Sequence, residues 1–518
     1  MRLGLFVLLA TGGAAAAQPA GHGGHADMAH AKTAQILPGY GKGGFPVRTA
    51  SPEAQAYFDN GMQLAHAFAH KAAIDAMTEA VRLDPGCAMC LWGKAWAEGP
   101  TINYEKTGKE LRPLRKEAEQ AAKLARKGGD AREIALTEAL ALRYRNGGGG
   151  KPGDLAFARA MESLAARYPQ DDEIATIAAD AWLMAPSKAP AVEKANALRA
   201  EALLERVLKR DPDYTPAIHF YIHATEVAGE GPKAEAAADR LIALAPNASH
   251  LVHMPSHTWY WVGRYQDAAD ANMKAVEIGK ANAKRLGMPE PEGVWGLPYH
   301  VHNVVFGLGG AMMAGDSKTA LELGRPLVVV SQKRAEASPF YQMIAAAGYY
   351  ALARFAEPAE VLALAEPKLP YLKAAWHYAR GEAEARRGNA AATAAEAAAI
   401  PEHLNAPKKG KPFTKIPEEM LTITRHVLLG RAAMLSGRPG EALPHFLAAA
   451  EAQETPEFSR VADPPAFWYP VRRSVAEAKL ATGDSAGALR EVETSLKLRP
   501  RDPEALRLKE KIAASAAR

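Results

Sequence analysis

The feature that most constrains this chain is a recurrence, about every 34 residues, of small residues and turn formers at fixed offsets. Residues 249–280 place Gly263 at offset 15, Tyr265 at 17, Ala268 at 20 and Ala275 at 27. Residues 215–246 repeat the scheme with Gly229 at 15, Ala234 at 20 and Pro246 at 32. Residues 54–85 carry Ala73, Ala80 and Pro85 at 20, 27 and 32. From Val301 onward the offsets hold Gly315 and Ala320, and in 469–500 they hold Gly483, Ala488 and Pro500. A weaker copy begins at Ala374, with Gly388 in place but Thr393 where a smaller side chain is wanted. One such unit is a pair of helices that cannot bury its apolar face alone, so the units must stack.

This is the template of the tetratricopeptide repeat (TPR). The predicted fold class is therefore all-α, a TPR-like right-handed α-solenoid of antiparallel helix pairs. The 518 residues exceed what one core holds. Hydrophobic residues make up 48% and aromatics only 7%, a mix suited to closely packed helices. The solenoid is expected over 51–512, irregular or loop-rich at 105–155 and 403–418, with a tail at 513–518. Residues 1–17 read as a signal peptide: Arg2, an apolar stretch at 3–9, then Ala15, Ala16 and Ala17 ahead of Gln18. Residues 18–50 read as a disordered arm containing His22, His25, Met28 and His30. The expected location is periplasmic or secreted. The charge of +5 comes from 63 basic and 58 acidic residues spread along the chain. The one compact basic run, Lys408, Lys409 and Lys411, lies in a linker, so nucleic-acid binding is not expected. The apolar N-terminal stretch is too short for stable membrane insertion, and no later segment reaches spanning length.

The histidines are placed with more order than chance. His219 and His223 are four apart, as are His253 and His257, and residues four apart share a helix face. On the repeat register His219 and His253 both fall at offset 5, His223 and His257 at 9, and His250 and His302 at 2. These offsets line the concave groove of a TPR array. Six imidazoles from three neighbouring helices are thus expected to converge on one or two transition-metal ions, with Tyr260 and Trp261 beside them. A single HxxxH is weak evidence, since a lone groove histidine usually hydrogen-bonds a peptide or packs in the core; repetition at equivalent offsets is the stronger signal. Pro255 lies within the segment and threatens the His253/His257 geometry. Imidazole-only donors suit copper, iron, zinc and nickel, and the His/Met arm tips the order to copper over iron or zinc. Glu226 follows His223 by three residues, but no carboxylate is convincingly placed as a general base. No nucleophilic triad or phosphate loop is evident, since the glycine run at 147–150 leads into Lys151 and Pro152.

Cys87 and Cys90 open a helix after Pro85. They read as a local disulfide or two buried small residues ahead of a redox or soft-metal pair. Tyr299, Tyr378 and Arg473 are further candidates for lining a ligand site. For Trp468 and Tyr469 the packing of a helix start is preferred.

Several segments together resemble a family of bacterial exported TPR proteins. They are Cys87, Ala88 and Met89 with Trp92, Gly93, Gly99 and Pro100; His219 and His223; the run His250, Leu251, Val252, His253, Met254, Pro255, Ser256, His257; Tyr299, His302 and Asn303; Trp376 through Gly381; and Pro464, Pro465, Trp468, Tyr469, Pro470, Val471 and Arg472. The resemblance spans nearly all of the mature chain and is most specific in the central histidine run. The family pattern has a further histidine two residues after Asn303, where this chain has Val305. The resemblance implies the architecture and the site rather than a reaction. The leading expectation is a periplasmic metalloprotein with an oxidase-like or metal-carrier role. Its rivals are a non-catalytic scaffold holding a peptide or protein partner in the groove, and a redox protein using Cys87 and Cys90.

Overall fold

The computed structural model describes residues 3–4, 34–106, 108–145, 151–187, 189–335, 339–404 and 415–516. Most of the expected signal segment, the arm up to residue 33, the glycine run at 147–150 and the basic run at 408–411 lie outside the described residues. The described chain is built of helices, with one short parallel pairing of Leu3–Gly4 to Val461–Asp463. No described helix is long and apolar enough to cross a membrane.

Two compact units divide between Thr258 and Trp259. The first stacks antiparallel pairs: α1 (Pro52–His66) with α2 (His70–Leu83), α3 (Ala88–Ala97) with α4 (Gly108–Gly128), α5 (Ala131–Arg145) with α6 (Lys151–Arg167), α7 (Asp172–Met184) with α8 (Pro190–Arg210), and α9 (Thr215–Ala228) with α10 (Glu235–Leu244). Then come α11 (Ser249–His253) and α12 (Pro255–Val262), the latter carrying the division. The second unit continues with α13 (Tyr265–Arg285), α14 (His300–Ala314), α15 (Ser317–Ala335), α16 (Pro339–Phe355), α17 (Pro358–Leu362), α18 (Pro370–Arg386), α19 (Ala390–Ala399), α20 (Lys415–Leu435), α21 (Pro439–Gln453), α22 (Pro456–Ser459), α23 (Arg472–Ala481), α24 (Ser485–Leu498) and α25 (Pro503–Ala516). This is the all-α, TPR-like array of helix pairs that the repeat spacing predicts.

The repeat residues act as the template requires. Gly229 and Gly263 end α9 and α12 at φ +80° and +78°, the left-handed turn that stops a helix and that glycine adopts without strain. Ala73, Ala80, Ala234, Ala268 and Ala275 are fully buried where helices meet. Thr393 is tolerated because its hydroxyl bonds back to the Asn389 carbonyl at 2.8 Å, leaving no unpaired polar atom in the interface.

Three expected boundaries change. Within 105–155, residues 108–128, 131–145 and 151–155 are helical, in α4, α5 and the start of α6. The charged surface of α4 and Pro113 within it masked a helix whose buried stripe is Leu111, Leu114, Ala118, Ala121, Ala122 and Ala125. The last helix runs to Ala516, so residues 513–516 are not tail. Residues 34–50 are not a disordered arm. They have no period because folded helices supply their hydrogen-bond partners. Leu37 exchanges two 2.9 Å bonds with the Asn60 side chain, Arg48 N–H donates to Glu133 at 2.9 Å, and the Pro38 carbonyl accepts from Asn247 at 2.9 Å.

Candidate metal centre

The site is built in the first unit, where α9, α11 and α12 meet the end of α1. α9 presents His219 and His223 one turn apart, and α11 presents His250 and His253. Pro255 does not break the geometry. Met254 keeps helical backbone angles (φ −52°, ψ −39°), so α12 starts where α11 stops. His253 Nε2 then stands 3.0 Å from His257 Nε2. Five of the six candidate histidines share this unit, all at most 8% exposed, and His219 and His253 have no exposed surface.

His219, His223 and His250 each offer a ring nitrogen, and these atoms all lie within 4.8 Å of one another. His219 Nδ1 is 2.8 Å from the backbone oxygen of His66. A carbonyl only accepts, so Nδ1 carries the proton and Nε2 bears the lone pair. That lone pair faces His250 Nε2 at 3.2 Å. His223 Nε2 is buried and has no hydrogen-bond partner among the described residues, and the same holds for Glu226 Oε1. Beside the triad, Glu226 Oε2 stands 3.1 Å from His257 Nδ1, a carboxylate behind an imidazole as in many metal sites. The rings form a continuous cluster, with centroids 5.6 Å apart both for His223 and His257 and for His250 and His253.

Two of the triad's rings, His219 and His223, are held toward the neutral form. Burial pushes His219 down to about 3, against the opposing effect of its bond to His66. Burial pushes His223 well below the ordinary histidine range, helped by the neighbouring imidazoles. Neutral rings are the ligand form. Two donors about 2.0–2.1 Å from one ion, at angles between square-planar and tetrahedral, lie about 2.9–3.4 Å apart. The 3.2 Å and 3.0 Å nitrogen pairs fall within that span.

A wall and a support complete the site, and both escaped the sequence reading. Phe68, at φ +55° in the turn after α1, stacks on His250 at 4.9 Å and sets its edge on His219 at 4.6 Å. The ring of His66 is tied to buried Glu173, which also accepts from the Tyr214 hydroxyl. Glu173 thus anchors the residue whose carbonyl orients His219. His66 and His70 are four apart, but they lie on different helices, so their spacing carried no signal. Glu173 and Tyr214 also line an open cleft of about 670 Å³ with Phe45, Arg132 and Tyr168.

His302 belongs to the second unit, on the first turn of α14, buried with its ring 4.5 Å from Phe306 and 6.2 Å from Tyr299. Tyr299 is half-buried at the N-cap of that helix, and Trp261 is half-buried on α12. Tyr260, Tyr378 and Arg473 do not offer free polar tips to a ligand, contrary to expectation. Tyr260 donates to the Phe306 carbonyl at 2.6 Å, Tyr378 donates to Glu382 at 2.9 Å, and Arg473 is paired with Asp502 at 3.1 Å and Glu504 at 2.8 Å. Each is buried, where an unpaired polar group would be costly. Cys87 and Cys90 are joined in a disulfide, so neither is a free thiol, and Cys87 Sγ also caps α3 by accepting from Cys90 N–H. Trp468 is clasped by Arg354 at 3.6 Å and, with Pro464 and Pro465, lines a small apolar pocket of about 60 Å³.

No protein-family model matches the sequence, and no curated protein matches it. Among solved structures, the chain is similar to the APC/C hetero-tetramer Cut9–Hcn1, with 12% identity over 89% of this chain and 76% of that one and a TM-score of 0.31. It is similar to yeast Tom70, with 12% identity over 90% of each chain and a TM-score of 0.29. It is similar to the human IFIT1 dimer with m7Gppp-AAAA, with 14% identity over 91% and 92% and a TM-score of 0.28. At these values none of them bears on what this chain binds.

Proposed function

We propose that this chain is an exported TPR metalloprotein. His219, His223 and His250 would hold one transition-metal ion, copper in preference to iron or zinc, and His253 and His257 offer a donor pair for a second. The single observation that carries the reading is the buried triad with its ring nitrogens within 4.8 Å, the His223 nitrogen unpartnered among the described residues. The His223 ring nitrogen is costly as mere packing, because a buried polar group left unpaired loses its hydration without replacement. An ion bound there would satisfy the unpartnered His223 nitrogen.

An ion held by three imidazoles keeps a coordination position open for an outside ligand. The protein's own residues supply orientation and shelter. His66 and Glu173 fix His219, Glu226 backs His257, and Phe68 shields the triad from water. That degree of burial favours a resident centre of oxidase-like character over a carrier that must release its cargo.

Elemental analysis of protein purified without an affinity tag tests the reading. At least one ion per chain is expected, lost in His219→Ala together with His223→Ala and reduced in His253→Ala together with His257→Ala. Substoichiometric metal that ignores all four substitutions, in variants that keep their helical circular dichroism, would sink it.

The second reading, a scaffold for a peptide partner, is favoured by the open cleft beside Tyr214. It predicts binding of an extended peptide by metal-free protein, weakened by Tyr168→Ala.

A further inference from the structure

A further pair of imidazoles belongs to the second unit. His426 on α20 and His445 on α21 bring their Nδ1 atoms to 3.1 Å, with ring centroids 5.3 Å apart at 40°. The two helices are sequence neighbours that pack side by side. They approach closely because residue 430 is glycine: a Cβ there would sit 2.4 Å from the Phe446 ring, one residue along from His445. The meeting of the two imidazoles is therefore set by a tight helix crossing rather than by two side chains drifting on a surface.

Unlike the interior triad, both rings are only part-buried, so water and small ions reach them. Their 3.1 Å separation matches the span of two cis nitrogen donors on one ion, about 2.9–3.4 Å. The charge nearby is balanced. Arg425, which would repel a cation, has its guanidinium on the Glu402 carboxylate at 2.5 Å. His403 is exposed and adjoins Glu402 in the sequence. Burial, with Arg425 nearby, lowers both His426 and His445, in the direction of the neutral ligand form.

We infer that His426 and His445 form a second, solvent-accessible site for a borderline divalent ion such as zinc, with water filling the remaining positions. Two fixed protein donors make this an exchangeable station, weaker than a three-histidine centre. The inference is independent of the interior site.

Equilibrium dialysis of the full chain against zinc chloride tests it. Wild type should bind one more zinc per chain than His426→Gln together with His445→Gln, and His219→Ala with His223→Ala should leave that equivalent in place. Zinc should also raise the melting temperature of wild type more than that of the double Gln variant. The result that overturns the site is an equal zinc count in wild type and in a double Gln variant that melts like wild type without metal. If His445→Gln alone fails to fold, His426→Gln alone carries the comparison, since each removes half of the bite.

Discussion

At the scale of single residues, the histidine cluster makes the protein sensitive to acid in a direction that can be worked out. His219 is held at about 3 when folded, against 6.5 for the unperturbed side chain. Between those values the unfolded chain binds a proton that the folded chain refuses, so stability falls as pH falls through that window. His70 and His300, each pushed to about 4 by burial, act in the same sense. Metal-free protein is therefore predicted to lose melting temperature progressively below pH 6.5, and His219→Gln should flatten the slope. Thermal denaturation at several pH values checks this, and a His219→Gln profile parallel to wild type would contradict it. The proposed ligand positions were legible from spacing because four-residue intervals are a helix property. The supports were not. Glu173 lies 107 residues from His66, and nothing local marks that pairing.

At the scale of elements, small residues decide how near two helices come. Gly310 on α14 shows the limit: a Cβ there would lie 2.8 Å from the backbone N of Ala269 and the carbonyl of Tyr265 on α13. Backbone cannot rotate away, so Gly310→Ala should cost about 1–3 kcal/mol by overpacking, against the ~1 kcal/mol that alanine gains in a helix interior. Gly440 on α21 meets nothing within 4 Å, so Gly440→Ala should be neutral or slightly stabilising. Urea midpoints of the two variants give the comparison, and equal shifts would show that propensity rather than close approach governs. The repeat offsets revealed helices of this kind from the sequence. They failed over α4, where a charged face and an internal proline hid an apolar stripe made mostly of alanine.

At the scale of the whole molecule, the proposal joins export to metal binding. The Cys87–Cys90 disulfide suits an oxidising compartment. Protein recovered from a cell-envelope fraction is predicted to begin at Gln18, which intact mass and N-terminal sequencing would establish. Retention of Met1 on envelope protein would remove the signal-peptide reading while leaving the centre untouched. The segment at 34–50 adds a further point at this scale. It is ordered by partners distributed from Asn60 to Asn247, so its structure belongs to the assembled unit and not to its own residues.

Local period along the chain is enough to set the helical class, the stacking of pairs, the turns at Gly229 and Gly263, and which histidines share a helix face. Which side chains from distant helices meet is settled only when the array has packed. Packing returns the end of α1 to α9, so that the His66 carbonyl fixes the tautomer of His219, and it commits Tyr260, Tyr378 and Arg473 to internal bonds. The physical reason is range. Helix geometry repeats every few residues and leaves its mark on the chain, whereas a hydrogen bond across 153 positions leaves none until the chain has folded.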